Sequence, residues 1–131
     1  MHRWMLAISV IFLAGCASLS AEYRMSQLDD LTRAYGRAMQ WSEFATAYSA
    51  MKNTTATPPP DPSLNKDIKV TSYEPQSMRA VEDGKVILRV VRIGYVHLVD
   101  MAEHSLTTNE EWAYSDSEKR WYLRSGFPVF K

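Results

Sequence analysis

A proline-rich segment divides the chain into two parts with different hydrophobic periodicities. Residues 53–63 read NTTATPPPDPS, and consecutive prolines cannot continue a helix because each one fixes φ and lacks an amide donor. Apolar residues before this segment recur with a helical period, and those after it alternate as they do in strands. We predict a stiff connector between a helical part and a sheet part. A ligand for a proline-recognition domain is the alternative.

The helical part contains two apolar stripes. The first consists of Leu28, Leu31, Tyr35, Ala38 and Met39, and the second of Phe44, Ala47, Tyr48 and Met51. Both follow a 3.6-residue period, and the phase changes near Trp41. We therefore predict a long helix to about Gln40 and a corner at Trp41-Ser42. A shorter helix should follow to about Lys52, with Ser42 as its N-cap.

The sheet part reads as a series of antiparallel strands. Alternation over 67–73 predicts a first strand, which Pro75 interrupts at an edge or bulge before a second piece at 77–81. Asp83-Gly84 predicts a type I′ hairpin turn. A long β-branched run follows, with a bend or bulge at Gly94. Two further strands are expected, at about 105–114 and from Arg120.

These patterns predict an α+β fold, with N-terminal helices packed on a curled antiparallel sheet of about four strands. The 131 residues bound the chain to a single domain, which we place at 23–131. We expect Trp41, Phe44 and Leu123 to be buried in its core, and the apolar C-terminus to pack as well. An aromatic stripe at helical spacing is typical of a core rather than of a cofactor site, so no cofactor is expected.

Residues 1–15 have the character of a signal peptide. Arg3 gives a short positive region, and an apolar run from Trp4 to Ala14 follows it. Eleven helical residues rise about 16 Å, which is too short for a hydrocarbon core of about 30 Å. We therefore predict a cleaved targeting segment, followed by a short tether of weak structural preference over 16–22.

The end of this segment, Leu13-Ala14-Gly15-Cys16, resembles the lipobox of bacterial lipoproteins. The resemblance implies that Cys16 receives a diacylglyceryl group, that cleavage precedes it, and that the new amine is acylated. Two or more acyl chains hold a protein at a membrane where one chain gives only marginal binding. The residue after the cysteine is Ala17 rather than Asp, which resembles the outer-membrane class of these proteins. We expect a lipid-anchored envelope protein, at the outer membrane and facing the periplasm.

The order of elements resembles the cone-shaped, cystatin-like fold of nuclear transport factor and polyketide cyclase relatives. More closely, the chain is similar to uncharacterised proteobacterial lipoproteins. The matching stretches are RAMQWSEFATAY, DIKVTSYE and EEWAYSDSEKRWYLRSGFPVF. Enzymes of the cone fold have a longer third helix and a roomier hollow, whereas here a short proline-rich stretch precedes the first strand.

Residues that could carry chemistry are few. His97, Asp100, Glu103 and His104 cluster near the end of the long strand and could hold a metal or do acid–base work, but a hydrated strand end explains them as well. We predict neither a catalytic nor a metal site there, and a single neutral His97 bonded to a neighbouring group.

Other polar and aromatic pairs in the sequence do not predict a site. Glu110 and Glu111 should point to opposite faces of a strand, so at most one faces inward. Asp29 and Asp30 do not converge on a helix. We expect the aromatics of the last two strands to form cross-strand pairs that stabilise the sheet, with a surface for sugar or peptide as the alternative; they are Trp112, Tyr114, Trp121 and Tyr122, beside Arg120 and Arg124.

Three functional hypotheses follow from the sequence. The first is a lipid-anchored accessory module that binds an envelope protein and has no catalysis of its own. The second is a small-ligand binder whose apolar hollow is lined by Tyr35, Trp41, Phe44 and Tyr48. The third is a cyclase- or isomerase-like enzyme with His97 or Asp100 as base. The formal net charge of zero argues against nucleic acid as a partner, because such binding depends on excess Lys and Arg.

Overall fold

The computed structural model describes residues 9–51 and 61–131, and of these the side chains of 20–51, 61 and 63–131. One main helix packs on a four-stranded antiparallel sheet. The predicted α+β class is confirmed, and the open sheet is consistent with the predicted curl. Within the described ranges, no helix combines the length and the apolar character needed to cross a membrane.

The main helix, α1, runs without interruption over Ser9–Gln40. The prediction of a weakly structured tether at 16–22 is therefore wrong, because these residues are helical. The segment is CASLSAE, which contains no glycine or proline, and alanine, leucine and glutamate are strong helix formers. Of the predicted signal peptide, 1–8 lies outside the described residues and 9–15 belongs to α1.

The predicted corner follows α1, and the short helix α2 occupies Phe44–Tyr48. Ser42 is not the N-cap, since Glu43 holds that position without a side-chain cap bond. Ser42 instead adopts a left-handed conformation with φ of 56°. Its hydroxyl accepts a 2.8 Å hydrogen bond from the Val70 amide, so this side chain joins the corner to the first strand.

The sheet is a simple meander in the order β1-β2-β3-β4. The strands are β1 (Ile68–Val81), β2 (Val86–His97), β3 (Ala102–Ser115) and β4 (Arg120–Leu123). Pro75 does not divide β1 into two strands, because the strand continues through a register shift between Pro75 and Ser77. The strand lies at the sheet edge, where a missing amide donor is tolerated.

Two glycines mark the places where the β1–β2 pairing departs from regular geometry. The hairpin loop is longer than the predicted two-residue turn, since Val81 pairs with Val86, and Glu82, Asp83 and Gly84 all have positive φ. Gly94 lies opposite a register shift of β1. A Cβ there would be 2.5 Å from the Ser72 hydroxyl oxygen, which accepts a bond from the Gly94 amide. The predicted irregularity is thus a bulge of β1.

The core lies between α1 and one face of the sheet. Its most deeply buried large side chains are Trp112, Met39, Ile87, Ile93 and Val91. Phe44 and Leu123 are buried as predicted, but Trp41 is 76% exposed. The buried stripe of α1 ends at Met39 and the helix ends at Gln40, so Trp41 lies in the turn that follows, where its side chain is exposed.

The C-terminal residues pack against α2 and the sheet, as predicted. Phe127 makes edge-on contacts with Phe44 and Tyr48, and Phe130 contacts Tyr95. The Tyr95 hydroxyl also donates to the Lys131 carbonyl at 3.0 Å. The predicted connector 53–63 lies largely outside the described residues, and its end forms a short 3-10 helix, Pro62–Asn65.

Candidate functional site

Three of the four predicted pocket residues fill the interior rather than line a hollow. Tyr35, Phe44 and Tyr48 are 2%, 7% and 5% exposed. Tyr35 packs edge-on against Tyr73 and Trp112. The space between the helices and the sheet is therefore occupied by aromatic side chains, and the hollow expected for an internal apolar ligand is filled by the residues meant to line it.

A groove of about 800 Å³ lies outside this core, at the corner between α1 and α2. We call it the Trp41 groove; its walls come from the corner, from the start of β1 and from Leu98. Trp41 and Leu98 are 76% and 44% exposed, and Val99, the next residue in sequence after Leu98, is 75% exposed. Phe44 also contributes to the lining, so two of the predicted pocket residues belong to this groove.

The Trp41 groove has an uneven charge. Lys66, Lys69 and Glu43 line it and are all exposed. Two lysines against one glutamate leave one positive charge in excess. The groove thus combines a large exposed aromatic side chain, an aliphatic side chain and a net positive charge.

The cluster at the end of β2 is spread over a turn and shows no paired acid and base. Asp100 accepts a 2.9 Å hydrogen bond from the Ala102 amide and so holds the turn. His104 is exposed and stacks on Tyr95. His97 is half-buried, and its Nδ1 is buried with no hydrogen-bond partner among the described residues. The bond predicted for His97 is therefore not made at this nitrogen.

The paired carboxylates separate as the strand and helix geometry predicts. Glu110 faces inward and is 2% exposed. Glu111 faces the other side, where the Arg124 guanidinium donates to it at 2.9 Å and holds the pKa of the carboxyl below its usual value. Asp29 and Asp30 are both exposed on the surface of α1, and Asp29 pairs with Arg33 at 3.0 Å.

A buried polar cluster forms around Glu110. The Tyr73 hydroxyl donates to Glu110 Oε2, and Trp112 Nε1 donates to Oε1 at 2.9 Å. Arg89 lies opposite Glu110 in the neighbouring strand, with 3.7 Å between the guanidinium and Oε1. Burial raises the pKa of Tyr35 and of Tyr73, and the Glu110 carboxylate raises both further. Both phenols are therefore held in the neutral form.

Neither the buried position of Arg89 nor its pairing with Glu110 was predicted from the sequence. A signal was present, because Arg89 has the same strand parity as the apolar Ile87, Val91 and Ile93, and therefore shares their inward face. Its partner could not be read in the same way, since the pairing depends on the register between β2 and β3.

The aromatics of the last two strands act mainly in the core. Trp112 and Trp121 are 0% and 3% exposed, and Trp121 contacts Tyr114 edge-on. Trp121 Nε1 donates to the Arg24 carbonyl at 2.7 Å, which ties β4 to α1. Of the residues considered as an alternative surface for sugar or peptide, Tyr114 and Tyr122 are half-buried, and Arg120 and Arg124 are exposed.

The described parts of the chain hold no cluster of three or more His, Cys, Asp or Glu side chains that could bind a metal ion. No protein-family model, curated protein or solved structure matches the chain. The resemblance to envelope lipoproteins and to the cone fold therefore stays a prediction.

Proposed function

We propose that this chain is a lipid-anchored module of the cell envelope that binds a protein partner and has no catalysis of its own. The anchor is Cys16, at the fourth position of the LAGC stretch. The membrane is the outer one, with the domain facing the periplasm, because Ala17 rather than Asp follows the cysteine. The proposed anchor and location are supported by the sequence of the first 17 residues.

The observation that carries the binding role is the exposed indole of Trp41. Solvating a large aromatic surface costs free energy that burial against a partner would recover, at about 25 cal/mol per Å² of apolar area. Tryptophan is among the residues most enriched at the energetic centres of interfaces. Here it stands on the rim of a groove that Leu98 also lines.

The chemistry of the groove favours one kind of partner segment. Its apolar lining suits an aliphatic or aromatic side chain, and the excess charge from Lys66 and Lys69 suits a neighbouring carboxylate. The partner is therefore a protein that presents an apolar side chain flanked by acidic residues. Val70, whose amide is held by Ser42, gives the groove a fixed wall.

The continuous helix α1 supports an anchored arrangement. After cleavage before Cys16, the helix would run from the anchored residue to Gln40. The first tie of α1 to the sheet is at Arg24, so about 12 Å of helix would separate the anchor from the domain. A helix is a semi-rigid spacer, whereas a random tether is not.

Site-specific photocrosslinking in intact cells tests the binding role. A photoreactive benzoylphenylalanine at Leu98 places the probe in the groove and leaves Trp41 in place. We expect one dominant protein adduct, which weakens when Trp41→Ala or Lys69→Glu is combined with the probe.

A probe at Val129 is the matched control, because this side chain is 77% exposed and does not line the groove. It should give no adduct of the same mass. Equal adducts at both positions, or a Leu98 adduct that Trp41→Ala leaves unchanged, would count against the groove as the binding surface.

A further inference from the structure

A second groove lies between one side of α1 and the edge strand β1. It consists of two adjoining cavities of about 360 and 350 Å³, and both are lined by Asp29, Thr32, Pro75 and Arg89. Small-molecule sites commonly have volumes of about 300–1,000 Å³. Met78 and Arg37 line this second groove and do not line the Trp41 groove. Substitutions at these residues therefore test the second groove separately from the first.

The two cavities have different chemical character. The first contains Met25, Leu28 and Met78; Met25 is 39% and Met78 63% exposed. The second contains Arg33 and Arg37, which lie one helical turn apart on α1. The groove thus passes from a methionine-rich apolar end to a cationic end, with Arg89 at the junction.

Arg89 is buried at this junction and lines both cavities. Its residue surface is 9% exposed, and among the described residues its NH1 atom has no hydrogen-bond partner. The nearest carboxylate atom, Glu110 Oε1, is 3.7 Å away, and both oxygens of Glu110 already accept bonds from Tyr73 and Trp112. The NH1 atom is closed to solvent on the Glu110 side, so a ligand in the groove would meet the part of the guanidinium that lines the cavities.

The charges around the groove favour an anion. Arg33, Arg37 and Arg89 face Asp29, which lines the same cavities, and Glu110, which lies behind Arg89. One positive charge is left in excess. Asp29 pairs with Arg33 at 3.0 Å and Glu110 lies 3.7 Å from Arg89, so the excess positive charge belongs to Arg37.

We propose that this groove binds a single-chain fatty carboxylate. Its carboxylate would lie between Arg89 and Arg37, because a planar guanidinium matches the two oxygens of a carboxylate. Its alkyl chain would lie against Met25, Leu28 and Met78. Methionine side chains are flexible and polarizable, and they adapt to apolar ligands of varied shape.

Titration of the purified full chain with laurate, kept below its micelle concentration, tests this site. We expect saturable binding of one laurate by calorimetry and a shift of the Arg89 side-chain NMR signal. Acetate tests the contribution of the alkyl chain, and dodecyltrimethylammonium tests that of the charge. Both should bind at least about tenfold more weakly, the loss expected when the apolar contact or the charge-assisted bond is missing.

Two exposed variants probe the ends of the groove without disturbing the core. Met78→Asp places a negative charge at the apolar end, and Arg37→Ala removes a cation from the other end. Each should weaken laurate binding by about tenfold. Arg92→Ala is the matched control, because Arg92 is exposed on the opposite face of the sheet, and it should leave the affinity unchanged.

The proposal is overturned if laurate does not bind at all. It is also overturned if the cationic amphiphile binds as tightly, or if Met78→Asp and Arg37→Ala leave the affinity unchanged. Those last results would indicate general adsorption to apolar surface. Circular dichroism of each variant confirms that any loss of binding is not a loss of fold.

Discussion

Two tryptophans show how differently single residues of the same type are used in this molecule. Trp112 is 0% exposed and packs edge-on against Tyr35, whereas Trp41 is 76% exposed on the rim of its groove. The first contributes to the stability of the domain. The second is available to a partner, and its exposure overturns the expectation that it lies in the core.

Alanine substitutions at the two tryptophans should therefore have opposite consequences. Trp112→Ala should lower the free energy of unfolding by about 3–5 kcal/mol through the cavity it creates. Trp41→Ala should change it by less than about 0.5 kcal/mol, as for other exposed positions. Urea denaturation followed by circular dichroism measures both values. A large loss for Trp41→Ala would mean that the indole packs against the domain in solution.

The raised pKa values of Tyr35 and Tyr73 predict a loss of stability in alkali. Both phenols ionise more readily in the unfolded chain, near pH 10, than in the folded one, where burial and Glu110 oppose the charge. Their contribution is complete below about pH 10 and is lost as the pH rises above it. The slope is up to about 1.4 kcal/mol per pH unit for each tyrosine.

Unfolding by urea at pH 9, 10 and 11 measures this slope. Tyr73→Phe removes one of the two groups, so the variant should lose less stability than the parent over the same pH interval, even if its stability at pH 9 is lower. An identical slope in parent and variant would show that Tyr73 does not titrate with unfolding.

At the scale of the elements, the sequence predicts the helix ends and the strands, because these depend on residues close together in the chain. The break after Gln40 follows from a change of phase in the apolar stripe, and the four strands follow from alternation and turn residues. The role of Ser42 does not follow, because it depends on Val70, which is 28 residues away. The pairing of Arg89 with Glu110 depends in the same way on the register of two strands.

The bond between Ser42 and Val70 should stabilise the junction of the helical and sheet parts. Ser42→Ala leaves the partly buried Val70 amide without this acceptor, at a cost of about 1–3 kcal/mol. Ser49→Ala is a matched control, because that hydroxyl makes only a local, exposed bond to the Thr46 carbonyl. Thermal unfolding should show a clearly larger decrease in Tm for Ser42→Ala. Equal shifts would show that the long-range bond contributes little.

At the scale of the whole molecule, one helix leads from the proposed anchor to the proposed binding groove. The helix α1 includes Cys16 and continues to the corner that carries Trp41. Of the candidate site, the sequence indicated Trp41 and Phe44 as lining residues but placed them in an interior hollow. It could not indicate that Tyr35 and Tyr48 would fill that hollow, because filling depends on how closely the helix approaches the sheet.

Mass spectrometry of the mature N-terminus tests the proposed anchor most directly. The protein is purified from membranes with detergent and digested, and its first peptide is sequenced. We expect a peptide that begins at Cys16 and carries a diacylglyceryl group and an acylated amine. We also expect Cys16→Ser to abolish incorporation of a clickable fatty acid. A mature chain that retains residues 1–15, or an unmodified Cys16 thiol, would contradict the proposed anchor.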